Sequence, residues 1–145
     1  MHRIAPIARI LLGLTFVVFS LNYFIPFLPQ PSEMPPPAVL QLVGGLSAAK
    51  LMTFMKLVEL GAGLALLTNR AVPLALALLA PIIVGIVAFH AVLMPAGLPI
   101  AVFLLVLELV LAWSYRSAFA PMLRFRVAPD AVAKPAVRLE SIAAA

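Results

Sequence analysis

Four long apolar segments constrain the fold of this chain more than any other feature. They run from about residue 4 to 27, 47 to 68, 71 to 94 and 99 to 119. A helix of about 20 residues crosses roughly 30 Å of hydrocarbon, because each residue adds about 1.5 Å of rise. Prolines or short polar turns separate the segments, among them Pro29, Asn69-Arg70 and Pro121. The sequence therefore predicts an all-α membrane protein, folded as a bundle of four transmembrane helices.

The composition supports a membrane protein and excludes several other classes. Hydrophobic residues make up 65% of the chain and charged residues 10%, with a mean hydropathy of +1.18. The net charge of +5 does not indicate nucleic-acid binding, because the basic residues flank the apolar segments and are not interleaved with aromatic residues. With no cysteine, the chain cannot form disulfides or iron–sulfur ligation, and two histidines alone do not predict a metal centre.

The chain divides into a membrane domain, residues 1–120, and a basic, alanine-rich tail, residues 121–145. We expect the tail to be mobile or to lie on an anionic membrane surface. The connection 28–46 is rich in proline, and its second half is expected to form a short helix that ends at Gly44-Gly45. Pro81 lies within the third segment and is expected to kink that helix.

Arginines near the segment ends predict the orientation. They lie at the N-terminus, between the second and third segments and after the fourth: Arg3, Arg9, Arg70, Arg116, Arg124 and Arg126. The connections 28–46 and 95–99 carry no lysine or arginine. Because cytoplasmic loops carry the excess of basic residues, both termini are predicted to be cytoplasmic.

Ionisable residues inside the apolar segments are the main functional signal. Lys56 and Glu59 lie three residues apart, so a helix brings both to one face. A charge near the bilayer centre costs about 2.5–3.5 kcal/mol on insertion scales, so such residues are expected to face a protein interior with partners. Glu108 has no partner nearby in the sequence. It is expected either to be protonated or to pair with Lys56 or His90.

The four segments place these groups at similar depths and predict a ligand pocket in the outer half of the bundle. Its candidate residues are Asn22, Tyr23, Lys56 and His90, and the candidates for proton exchange are Glu59 and Glu108. A purely structural polar cluster that holds the helices together explains the same pattern. The sequence does not separate these two hypotheses.

Other residues predict packing and anchoring. Gly61 and Gly63 are expected to allow close helix packing. Trp113 and Tyr115 are expected to lie at the membrane interface. Arg9 is expected to extend to the cytoplasmic surface.

Several short motifs occur in the order typical of the DoxX family, which this chain resembles over roughly residues 5–120. They are 9–13 (RILLG), 21–24 (LNYF), 56–63 (KLVELGAG), 72–75 (VPLA), 79–84 (LAPIIV), 89–90 (FH) and 113–116 (WSYR). Arg9, Asn22, Glu59, His90 and Arg116 occupy matching motif positions. Gly85 departs from the pattern, since many relatives are expected to have asparagine there.

The resemblance implies a multi-pass protein of the bacterial inner (plasma) membrane. Named members of the family are associated with quinone-linked sulfur oxidation or with membrane complexes that respond to oxidative or thiol stress. The implied role is a subunit of a redox system, not an enzyme on its own, with a quinone or lipid as ligand and membrane or redox subunits, or further copies of itself, as partners. The alternatives are a small proton-coupled transporter and a purely structural subunit of a larger assembly.

The predicted orientation is tested with single cysteines, because the natural chain contains none. We expect Ser32→Cys to react with a membrane-impermeant maleimide on intact cells and Ser141→Cys to react only after permeabilisation. The cysteine-free chain is the control. Labelling of Ser141→Cys on intact cells would contradict the orientation.

Overall fold

The computed structural model describes residues 4–29 and 34–123, so most of the predicted tail lies outside the described residues. All regular structure in these ranges is helical, which confirms the predicted all-α class. The helices are α1 (Ile4–Phe24), α2 (Pro37–Ala48), α3 (Leu51–Leu67), α4 (Val72–Val92), α5 (Leu98–Ser114) and α6 (Arg116–Phe119), with 3-10 turns at Pro95–Gly97 and Ala120–Leu123. α4 runs through Pro81 without a break.

By length and composition, three of these helices can cross a membrane. They are α1, α4 and the segment Pro95–Ser114. α2 and α3 meet at an angle of 81° and give a fourth crossing if the bent pair is one span. The described chain is thus a helical, multi-pass membrane protein.

The four long helices α1, α3, α4 and α5 pack as a ring. α1 contacts α3 and α5, and α4 contacts the same two helices, while α2 packs on the outside against α3. Aliphatic side chains without solvent contact fill the interior of the ring: Leu12, Leu66, Leu76, Leu79, Ile83 and Leu111.

The boundary between α2 and α3 differs from the predicted one. The second apolar segment was expected to begin at Ser47 after a break at Gly44-Gly45, but α2 continues through both glycines to Ala48. The break lies at Lys50, whose φ of 61° is left-handed. A helix tolerates each glycine at a cost of about 1 kcal/mol, whereas a left-handed residue ends it. The exposed Lys50 therefore marks the bend.

The predicted turn at Asn69-Arg70 is confirmed, and its geometry shows how α3 ends. Asn69 is left-handed, with φ of 57°. The Arg70 amide donates to the Ala65 carbonyl at 2.9 Å, and the Asn69 amide donates to the Leu66 carbonyl at 3.2 Å. This is a Schellman cap, in which asparagine takes the position that glycine usually occupies.

α1 and α3 approach each other most closely at Gly13 and Gly63. A Cβ atom added to Gly13 would lie 3.0 Å from the Gly63 carbonyl oxygen, and one added to Gly63 would lie 2.9 Å from Val17 Cγ2. The predicted packing role of Gly63 is therefore confirmed. The same prediction for Gly61 is wrong, because a Cβ atom there would meet nothing within 4 Å. Gly61 lies on the outer surface of α3.

This difference between two neighbouring glycines gives a matched pair of variants. Gly63→Ala is expected to lower the free energy of unfolding in detergent by about 1–3 kcal/mol, because the methyl group overpacks the α1–α3 contact. Gly61→Ala is expected to raise it by about 0.5–1 kcal/mol through helix propensity. Equal effects of the two variants on the unfolding midpoint would contradict the close approach.

Candidate functional site

A cavity of about 600 Å³ lies among α1, α2, α3, α4 and α5, and we call it the α2-side cavity. Most of its lining is aliphatic or aromatic, with contributions from Phe16, Phe19, Met55 and Leu104. Its ionisable lining residues are Lys56, Glu59 and His90, three of the residues that the sequence singles out. An apolar pocket with a few converging polar groups is the usual form of a small-molecule site.

Lys56 and Glu59 form an ion pair on α3. The Lys56 Nζ atom lies 2.7 Å from Glu59 Oε2, as the spacing of three residues predicts. Glu59 is 2% exposed, whereas the side chain of Lys56 is 21% exposed. The carboxylate is therefore the deeper partner and the more costly one to leave unpaired.

Ser20 on α1 adds a second hydrogen bond to the same carboxylate. Its hydroxyl donates to Glu59 Oε2 at 3.4 Å, and the serine is fully buried. The sequence analysis missed this residue. The signal that could have found it is a hydroxyl on the first apolar segment at the depth of the pair on the second.

His90 lines the cavity and also contacts the segment that connects α4 to α5. Its Nδ1 lies 3.2 Å from the Met94 carbonyl oxygen, and its ring packs directly against Gly97, where an added Cβ atom would overlap it. A carbonyl only accepts, so Nδ1 must carry the hydrogen. The neutral ring then presents Nε2 as an acceptor. In this tautomer, a hydroxyl on a ligand is the matching partner for Nε2.

Asn22 and Tyr23 are not among the residues that line the cavity, in contrast to the prediction. Asn22 Oδ1 accepts hydrogen bonds from the amides of Phe27 and Leu28, at 3.0 and 2.8 Å, and so caps the end of α1. The Tyr23 and Thr53 hydroxyls lie 3.0 Å apart and join α1 to α3. Both residues thus have structural partners that their spacing in the sequence did not reveal.

Glu108 is buried, at 5% exposure, but does not line the cavity. It lies one helical turn beyond Leu104, a cavity-lining residue of α5. Its Oε2 atom is shielded from solvent and has no hydrogen-bond partner within the described ranges. Of the two predicted states of Glu108, pairing with Lys56 or His90 is not formed: Lys56 pairs with Glu59, and the His90 ring bonds the Met94 carbonyl.

The polar groups of the described residues do not gather into a metal site. No group of three or more histidine, aspartate or glutamate side chains has the arrangement needed to hold an ion in this part of the chain. The arrangement suits a hydrogen-bonding ligand with a large apolar portion.

These helices and the few polar groups buried among them define a multi-pass helical membrane protein with a cavity between its helices. Comparison with known proteins gave no match to any family model, to any curated protein or to any solved structure.

A double-mutant cycle tests the ion pair. Lys56→Met is expected to cost about 3 kcal/mol of stability in detergent, because it leaves the buried Glu59 carboxylate without its cation. The double variant Lys56→Met/Glu59→Gln is expected to recover most of that loss, which chemical unfolding would measure.

Lys50→Met is the control for this cycle, because it removes an exposed lysine six residues earlier. Its effect is expected to stay within about 0.5 kcal/mol. The pair would have no structural role if Lys56→Met and Lys50→Met changed stability equally.

Proposed function

We propose that this protein is a DoxX-like subunit of a redox system in the bacterial inner membrane, and that its α2-side cavity binds a quinone or a lipid. In this proposal the α2–α3 pair forms the fourth crossing, and both termini are cytoplasmic. The motif order of the sequence supports the family assignment, and the cavity supports the ligand.

The observation that carries the proposal is the position of Lys56, Glu59 and His90 in the wall of an otherwise apolar cavity. The volume of about 600 Å³ lies within the range of about 300–1,000 Å³ that is usual for small-molecule sites. A quinone combines a polar ring with an apolar tail and fits such a lining. When bound, it would supply the redox chemistry that the side chains of a cysteine-free chain do not.

The polar residues offer both kinds of hydrogen bond to such a ligand. Lys56 has three N–H donors and uses one on Glu59, so the other two are available to an acceptor on the ligand. In the tautomer that carries its hydrogen on Nδ1, the Nε2 atom of His90 would accept from a hydroxyl on the ligand. Glu59 touches both Lys56 and the cavity, which makes it the better placed of the two proton-exchange candidates. Glu108 would exchange protons with the cavity only through an intermediate group.

Electrons for this role would come from a partner, because the ligand needs a donor outside this chain. Redox or membrane subunits, or further copies of this chain, would contact the broad apolar faces of the helices. Large exposed side chains on those faces include Phe54, Leu57, Leu74, Phe103 and Leu109. We therefore assign the protein a binding role within an assembly and no independent catalysis.

Two alternative functions each have an observation in their favour. The buried Glu108, whose Oε2 atom has no partner among the residues that the structure describes, favours a small proton-coupled transporter, in which Glu59 and Glu108 change protonation during transport. The structural partners of Asn22, Tyr23 and His90 favour a purely structural subunit.

Purification in mild detergent, followed by identification of bound lipids and quinones by mass spectrometry, tests the proposal. Gly85 lines the cavity, and a Cβ atom there would meet nothing within 4 Å, so Gly85→Phe is expected to fill space without a clash. We expect this variant to lose the bound ligand. Val84→Phe places the same ring on the exposed outer face of α4 and is expected to retain it.

Each remaining outcome assigns a different function. Partner chains in fixed ratio without any ligand would contradict ligand binding and favour the structural subunit. A protein without ligand or partners that shows pH-dependent uptake in liposomes would favour the transporter. Equal ligand content in the Gly85→Phe and Val84→Phe variants would place the ligand outside this cavity.

A further inference from the structure

A second cavity, of about 550 Å³, lies at the opposite end of the bundle, and we call it the basic cavity. It forms where the beginning of α1, the end of α5 and the turn between α3 and α4 meet. Its lining includes Arg9 from α1, Asn69 from the turn, and Ser114, Tyr115 and Arg116 from the junction between α5 and α6. It shares no lining residue with the α2-side cavity.

The basic cavity carries unbalanced positive charge. Two guanidinium groups, those of Arg9 and Arg116, line it, and no carboxylate does so within the described ranges. The two carboxylates of the described residues lie elsewhere: Glu59 is paired with Lys56, and Glu108 forms no ion pair. The described residues therefore leave both arginine charges of this cavity without a counter-charge.

Arg9 also has unmet hydrogen-bonding capacity. Its Nη1 atom is shielded from solvent and has no hydrogen-bond partner among the described residues, although the residue as a whole is partly exposed. A donor that is buried without a partner carries a free-energy cost, which an oxyanion would remove. The planar guanidinium matches the geometry of phosphate oxygens particularly well.

Arg116 is oriented by its neighbour Trp113. Its Nη1 donates to the Trp113 carbonyl at 3.2 Å, and its Cζ lies 5.5 Å from the centre of the tryptophan ring. These contacts use one N–H group and leave the other donors of the guanidinium available. The Ser114 hydroxyl donates to the Val110 carbonyl at 2.7 Å, so it does not add a second donor for an anion. The hydrogen bonds to an anion would therefore come from Arg9 and Arg116.

The position of the basic cavity in the bundle indicates the class of ligand. If α1 and α5 cross the membrane, as their length and composition allow, the first turns of α1 and the last turn of α5 are expected at the depth of the lipid headgroups. From these observations we infer that the basic cavity binds a phosphate group through Arg9 and Arg116. The phosphate belongs either to the headgroup of an anionic phospholipid or to a soluble phosphate ion. This site does not depend on the ligand of the α2-side cavity.

The test uses the full chain in detergent, with phosphatidylglycerol added in one arm and inorganic phosphate in the other. Native mass spectrometry measures lipid retention, and calorimetry measures phosphate binding. We expect Arg9→Gln and Arg116→Gln each to weaken binding by about tenfold or more, because charge-assisted hydrogen bonds are lost. Binding in the first arm alone identifies a lipid headgroup, and binding of phosphate identifies the soluble ion as a sufficient ligand.

Arg70→Gln is the matched control, because Arg70 is an exposed arginine beside Asn69 that does not line the basic cavity. It is expected to leave binding unchanged. Arg116 is exposed, so Arg116→Gln is expected to fold. A lowered thermal midpoint would reveal a folding defect in Arg9→Gln, and the comparison of Arg116→Gln with Arg70→Gln would then decide the result. The inference is overturned if neither probe binds, or if Arg116→Gln and Arg70→Gln weaken binding equally.

Discussion

The cost of placing a carboxylate among apolar helices is the constraint on which the rest of this structure depends. Glu59 is almost fully buried, and two partners from different helices satisfy one of its oxygens: Lys56 on α3 and Ser20 on α1. Gly13 and Gly63 let α1 and α3 approach closely, on the same pair of helices that Ser20 and Glu59 join. The packing of α1 against α3 and the burial of the Glu59 carboxylate are thus linked, and Glu59 also lines the α2-side cavity.

The sequence predicted the helices well, because apolar segments of this length have few alternatives in a membrane protein. It predicted the start of α3 poorly. Gly44-Gly45 resembles a break, yet the helix passes through both residues, and the bend falls at Lys50. The left-handed conformation of Lys50 has no signal in the sequence, because residues with a large side chain rarely adopt it.

The candidate site was predictable where it is local and not where it depends on tertiary structure. Lys56 and Glu59 meet because of their spacing within one helix, and His90 faces the same cavity. The role of Asn22 was not predictable, because it depends on the chain after α1 folding back. The amides of Phe27 and Leu28 then donate to the Asn22 side chain, and the spacing of residues does not reveal this. Glu108 lies one turn too far along α5 to reach the cavity. The position of one helix along its axis relative to its neighbours is set by side-chain packing, and a hydropathy pattern does not predict it.

The account depends most directly on which face of α3 is turned inward. A nitroxide attached in turn at each position from 57 to 66, in nanodiscs, reports collision with oxygen and therefore exposure to lipid. We predict high oxygen accessibility at Leu57 and Leu64, which are 54% and 47% exposed, and low accessibility at Glu59, Ala62 and Leu66. High accessibility at position 59 with a minimum at 57 and 64 would place the carboxylate in lipid and contradict the account.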